Sequence, residues 1–285
     1  MVRFWRRLTV FLISCLLLIS LTACGNQVRR NQVVISVLSD PKTFNAVLSA
    51  ESPNIFGLTY EGLLTENPIT GKKEPVLAES WTISDDNLNI IFTMREGLKW
   101  SDGQPLTVDD VVFTYKDLYL NPDIPNNYRD SLRIGLKKEF PVITKLDNRR
   151  IEFKLPEPFA PFLDAVSSPI LPKHALEKTI QKKSPDGRLE FLSTWGLDTP
   201  PDKIVFNGAY KLKEYITGQR IIFENNPYYW KKDDRGQQLP HITSVIWAIV
   251  ESQDTTLLQF RSGSLDSIGV TPEFFSLLKT EEEIG

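Results

Sequence analysis

Phe92-Thr93-Met94-Arg95-Glu96-Gly97-Leu98-Lys99-Trp100-Ser101-Asp102-Gly103-Gln104-Pro105-Leu106-Thr107-Val108-Asp109-Asp110-Val111 carries a strand end, a tight turn and a helix start in direct succession. Ile90, Ile91, Phe92 and Met94 place a strand over Asn89 to Arg95. Ala78 to Ile83 reads as its partner across the polar turn Ser84 to Asn87. Trp100 to Thr107 is a turn in which Gly103 takes a positive φ. Thr107 stands three residues before Asp110, the spacing of a capping box. Val111, Val112, Tyr115, Leu118 and Tyr119 then mark one face of the helix it starts. Asp109 and Asp110 invite comparison with a catalytic acid pair, but neighbours on a helix face different ways and acids in a first turn suit the helix dipole, so capping is their reading.

Working outward, Val33 to Leu38 is an apolar, β-branched run of the kind expected in a strand buried on both faces, ended by Ser39-Asp40-Pro41. Ser52 to Leu64 has helical spacing, with Ser52-Pro53 as cap and first-turn proline. Thr65 to Leu77 is turn-rich. Hairpins are expected at Val142–Leu146 with Arg150–Leu155 and at Tyr210–Ile216 with Arg220–Glu224, the latter turned by Thr217-Gly218-Gln219. A helix begins near Pro172, Val245 to Val250 is a further apolar strand, and Asp254 to Phe260 is an amphipathic helix ended by Arg261-Ser262-Gly263. Strands and helices interleave without strict βαβ order and without internal repeats, which defines a mixed-sheet α/β fold.

The chain has 285 residues, 41% of them hydrophobic and 24% charged, the composition of a folded protein. Lys and Arg number 33 against 36 Asp and Glu, and the first 23 residues contain Arg3, Arg6 and Arg7 but no acid, so the remainder is more acidic still. Without a basic stripe, a nucleic-acid partner is not expected. His174 and His241 are isolated and the only cysteines are Cys15 and Cys24, so neither a metal nor a cofactor site is indicated. No G-x-S-x-G elbow, P-loop or G-x-G-x-x-G occurs.

At the N-terminus, the three arginines precede an apolar run from Leu8 to Leu21. As a helix this run is about 21 Å long, short of the ~30 Å hydrocarbon core, and so reads as the apolar region of an export signal. No second long apolar run follows it. Leu21-Thr22-Ala23-Cys24 resembles the lipobox of bacterial lipoproteins, which implies cleavage after residue 23, lipidation of Cys24 and a tether over 24–32. Stable anchoring then takes more than one acyl chain or signal.

Tyr60-Glu61-Gly62-Leu63-Leu64, Leu77-Ala78-Glu79-Ser80-Trp81 and the opening stretch from Phe92 to Val111 together resemble the family 5 extracellular solute-binding proteins, the peptide- and nickel-binding components of bacterial ABC importers. Further matches follow in the family's order: Asn207-Gly208-Ala209-Tyr210-Lys211-Leu212, Gly218-Gln219-Arg220, Asn226-Pro227-Tyr228-Tyr229-Trp230 and Arg261-Ser262-Gly263-Ser264-Leu265-Asp266. The resemblance implies a two-lobed, periplasmic-binding-protein-like carrier that closes around a peptide or related small solute and presents it to permease subunits. It would be lipid-anchored through Cys24 on the periplasmic or extracellular side. The implied organisation is a first lobe over 33–270, with an extra subdomain inserted at about 65–170, and the start of a second lobe at 271–285. Most of that second lobe is missing, as in a fragment or split gene.

The resemblance also implies where ligand lies. Leu48-Ser49-Ala50-Glu51 matches the short strand that pairs with an extended peptide, Tyr128 a cleft-lining tyrosine, and Asn207 a position near the cleft. Each has an alternative: Ser49 as a turn cap, Tyr128 as loop packing, Asn207 as the residue that sets the turn at Gly208. Trp100, Asp102 and Gly103 read as structural. Two other classes stay open: a folded fragment that binds nothing, and a hydrolase using carboxylates such as Glu157 and Asp164, whose separation the sequence does not give.

Overall fold

Alternating side chains explain the first of two four-stranded sheets. In the computed structural model, which describes residues 31–48 and 53–284, β4 (Ala78–Ile83), β5 (Asn89–Met94), β6 (Val142–Lys145) and β7 (Arg150–Lys154) form an antiparallel sheet in the order β4-β5-β7-β6. Ile90, Phe92 and Met94 of β5 are buried, as are Ile151 and Phe153 of β7 and Ile143 of β6, so period-two spacing lays one apolar face. The register sets Phe92 opposite Ile151 and Ile90 opposite Phe153. Phe153 then meets Phe92, Tyr115 and Phe162 at ring separations of 5.8, 5.1 and 5.3 Å.

The expected capping box is present. Thr107 caps α2 (Val108–Val112), its Oγ1 accepting from the Asp109 N–H, while Asp110 Oδ2 accepts from the Thr107 N–H at 2.8 Å. Beyond Val112 the helix widens into a π-helical stretch, Phe113–Tyr119, instead of running on as regular α-helix. Thr114 supplies a local reason: its hydroxyl donates to the Asp110 carbonyl at 2.8 Å and accepts from the Leu171 N–H at 2.9 Å. The wider turn brings Phe113, Thr114, Tyr115, Leu118 and Tyr119 all into the core.

The second sheet has the order β1-β10-β9-β8, made of β1 (Gln32–Val37), β8 (Tyr210–Ile216), β9 (Arg220–Asn225) and β10 (Ser244–Ile249). The β8–β9 hairpin forms as its spacing implies, with Gly218 at φ +69°. Only β1 and β10 run parallel. The expectation that β1 is buried on both faces is corrected: it is the outer strand of its sheet, and Val34 is its only buried residue. Two further expectations change. The helix read over Ser52 to Leu64 is a single short turn, α1 (Phe56–Thr59), without a side-chain cap. The turn-rich stretch after it contains a small antiparallel pair, β2 (Leu64–Glu66) with β3 (Lys73–Pro75).

The remaining α-helices among the described residues are α3 (Tyr128–Ser131), α4 (Phe162–Ala165), α5 (Lys173–Gln181), α6 (Gln253–Arg261) and α7 (Pro272–Ile284). None of the described helices is long and apolar enough to cross a membrane. The export signal, Cys24, and Ser49, Ala50, Glu51 and Ser52 lie outside the described residues.

Candidate functional site

Of the expected ligand-facing residues, the structure describes Tyr128 and Asn207. Tyr128 opens α3 and is half-buried, its ring stacked on Tyr119 with centroids 4.3 Å apart. Tyr119 is itself fixed by its hydroxyl, which donates to the Pro169 carbonyl at 2.6 Å. The Tyr128 hydroxyl donates to the Ala46 carbonyl at 3.3 Å, which ties this ring to the chain leading into Ser49. That chain is well held: the Asn45 side-chain amide donates to the carbonyls of Phe191 and Thr194, and its oxygen accepts from the Val47 N–H. Burial raises the Tyr128 phenol above its ordinary value, so at neutral pH it is a hydroxyl that donates. Beside it lies a cavity of about 440 Å³, with Phe159, Pro161 and Ala165 as apolar wall and Asn127, Asp130, Ser131, Arg133, Asp164 and Ser168 as polar wall. Such a mixture suits an organic ligand held by few oriented polar groups.

Asn207 is placed differently. It is 2% exposed, and its side chain clasps the main chain of Glu61: Oδ1 accepts from the Glu61 N–H at 2.8 Å and Nδ2 donates to the Glu61 carbonyl at 3.2 Å. A longer 3.5 Å contact reaches the Ile170 carbonyl. The amide is fully engaged within the protein, and the segment it holds is that of Glu61.

That segment, Thr59 to Gly62, is the junction of several distant stretches. A Cβ on Gly62 would lie 2.5 Å from the Ser167 main chain, and one on Gly208 would lie 2.6 Å from that of Thr59, so both glycines permit backbone-to-backbone contact. The Glu61 carboxylate accepts from the Tyr229 hydroxyl at 2.5 Å and the Trp230 indole N–H at 2.7 Å. Arg95 stacks over the Trp230 ring at 4.2 Å. Burial raises the Glu61 carboxyl above its ordinary range, opposed by those two hydrogen bonds and by the charges of Lys231 and Arg95. Sequence reasoning gave Glu61, Tyr229 and Trp230 no role, although all three fall within the quoted motifs.

Trp100, Asp102 and Gly103 shape the turn ahead of α2. Trp100 is fully buried, Gly103 has φ +86°, and Asp102 accepts from the Gln104 N–H and contacts His174 Nε2 at 2.8 Å. The structure also describes the two candidate hydrolytic acids. Asp164 pairs with Lys73, and the Glu157 carboxyl occupies the space a side chain on Gly135 would take.

Comparison with known proteins agrees with this architecture. Residues 72–285 match the family described as "Bacterial extracellular solute-binding proteins, family 5 Middle". The chain is 35% identical over 236 residues to a probable ABC transporter-binding protein of Deinococcus radiodurans, covering 81% of this chain and 39% of that one. It is 31% identical over 239 residues to the periplasmic oligopeptide-binding protein OppA of Salmonella typhimurium, covering 78% and 40%. Among solved structures, Haemophilus influenzae OppA in complex with RPPGFSPFR superposes with a TM-score of 0.70 at 26% identity, over 89% of this chain and 49% of that one. The fold and the motifs define a periplasmic-binding-protein-like scaffold. The chain belongs to the family 5 bacterial extracellular solute-binding proteins, and it spans about 40% of the length of the curated relatives it matches.

Proposed function

We propose that this chain is the ligand-capturing part of a peptide-importing ABC system. It works outside the cytoplasmic membrane, is held there by a lipid on Cys24, and hands short peptides to permease subunits. The observation that supports this most directly is the likeness, over 89% of the chain, to a binding protein in complex with the peptide RPPGFSPFR. In this reading residues 33–270 belong to the first lobe, the sheet β4-β5-β7-β6 is the core of the inserted subdomain at about 65–170, and 271–285 leads into the second lobe. An extended peptide adds a strand to Ser49, Ala50 and Glu51, and Tyr128 flanks it with the cavity beside its ring. Asn207 contributes by holding Glu61. Capture follows from stronger binding to a closed arrangement than to an open one, without covalent chemistry.

A second reading, a folded portion that does not retain ligand by itself, is favoured by one observation: the chain spans about 40% of its relatives' length. Calorimetry and hydrogen exchange with a panel of short peptides, RPPGFSPFR included, separate the two. Micromolar or tighter binding with protection around Tyr128, weakened about tenfold or more by Tyr128→Ala, is the outcome expected of a capturing chain. Cooperative folding with no peptide-dependent protection supports the second reading.

A further inference from the structure

The junction at Tyr60 to Gly62 also borders a concavity of about 670 Å³ that does not include Tyr128. Its charged residues are Arg95, Lys231 and Lys232 on one side of the balance and Glu61 and Glu74 on the other, three cations against two carboxylates. The carboxylates make their hydrogen bonds elsewhere: Glu61 accepts from Tyr229 and Trp230, with the charges of Lys231 and Arg95 acting on it without contact, and Glu74 accepts from the Asn67 side chain at 2.7 Å. Among the described residues, none of the three cations is within ion-pair distance of an acid. Arg95 is held on two sides, its face on Trp230 and its Nε–H on the Val76 carbonyl at 2.5 Å. Apart from a long 3.5 Å contact of Nη2 with the Pro75 carbonyl, its other N–H groups are uncommitted. Lys231 and Lys232 are exposed and can reach an ion at the rim.

We propose that this concavity is a second binding site, taking a phosphate group between Arg95, Lys231 and Lys232. A guanidinium already fixed in orientation presents paired donors suited to phosphate oxygens, and two flexible ammonium groups add point charges from the rim. A tetrahedral ion, with oxygens directed to several sides, matches three separately mounted cations better than a planar carboxylate does. The Glu61 carboxylate repels an anion from the inner wall and so keeps it at the cationic rim. Organic substituents of the ligand would then lie along Trp230, Val76 and Pro75, which also line the space. A free phosphate and a glycerophosphate headgroup both carry the group that the three cations recognise.

The Trp230 indole N–H, which donates to Glu61, is a reporter inside the site. Titrating the full-length chain with inorganic phosphate, glycerol 1-phosphate and acetate, by calorimetry and by the Trp230 indole NMR resonance, tests the assignment. Saturable binding of a phosphate probe that moves this resonance, falls with added salt and is about tenfold or more weaker in K231Q/K232Q is the expected result. Phosphate alone binding, or both probes binding, distinguishes a free ion from a headgroup. Absence of saturable binding by either phosphate probe, heat without movement of the Trp230 resonance, equal affinity in K231Q/K232Q, or acetate binding as tightly as phosphate would each overturn the proposal. Because both lysines are exposed, an unchanged melting curve for the variant shows that any loss is not unfolding.

Discussion

At the scale of single residues, the most demanding positions are those with no side chain. Gly62 and Gly208 let the Thr59 to Gly62 segment touch two other backbones, and backbone atoms cannot turn aside as a flexible side chain would. Gly62→Ala therefore requires the Ser167 strand of chain to move, and a loss of about 3 kcal/mol or more is expected in urea denaturation, at the upper end of overpacking effects. Gly57, five residues earlier, has nothing within 4 Å of the position of an added Cβ, and Gly57→Ala is expected to change stability by less than about 1 kcal/mol. The glycine at position 62 was visible in its motif, but the reason for it was not, because Ser167 is remote in the chain. The same holds for Glu61. Its partners Tyr229 and Trp230 are 168 and 169 residues away, and no local periodicity reports contacts of that range.

At the scale of elements, Asp110 serves two helices at once. Oδ2 accepts from the Thr107 N–H at the start of α2, and Oδ1 accepts from the Lys173 N–H at the start of α5, at 2.9 Å. Asp110→Ala leaves both donors without their partner in a buried setting. Stability should fall by about 2–4 kcal/mol, measured by chemical denaturation, whereas Asp109→Ala, which removes an exposed contact with Lys145, should cost about 1 kcal/mol or less. The first of these bonds was legible, since a capping box is a spacing of three residues. The second was not, since it depends on α5 packing beside α2. The same division runs through the other elements. Hairpins such as β6–β7 and β8–β9 could be read from alternation and turn residues alone. The brevity of α1, the pairing of β2 with β3 and the widened helix at Phe113–Tyr119 follow from tertiary contacts that override local pattern. For the candidate site, Asn207 falls in a motif and Tyr128 is implied by the resemblance, but the clasp of Asn207 on Glu61 depends on two segments that meet only in the fold.

At the scale of the whole molecule, Glu61 joins stretches that lead to both four-stranded sheets, and its protonation bears on the stability of the entire fold. Its folded-state carboxyl is raised, first by burial, as is that of Asp110. In the pH window above the ordinary carboxylate value and up to the raised one, the native state holds a proton that the unfolded chain has released. These two groups therefore favour the fold at the lower end of that window and lose the advantage as pH rises through it. Asp147, lowered to about 2 by hydrogen bonds from the Arg149 and Arg150 region, acts in the opposite sense at more acidic pH, where its protonation removes a favourable contribution. Urea titrations across the acidic range should show a shallower decline in the upper window for Glu61→Gln than for the unsubstituted chain. An identical pH profile would show that the Glu61 carboxyl does not contribute to the slope.

The outer strand β1 has a consequence for how the polypeptide acquires its shape. Its partner β10 comes near the other end of the described chain, and the main chain and carboxylate of Asp266 exchange hydrogen bonds with Val34 across 232 residues of sequence. Closing so large a loop is entropically demanding and places this step among the slow, non-local ones. During synthesis β1 has no complete set of partners until nearly the whole described chain is available. The hairpins can form early from neighbouring residues, but the first of the described strands is among the last to be locked in place.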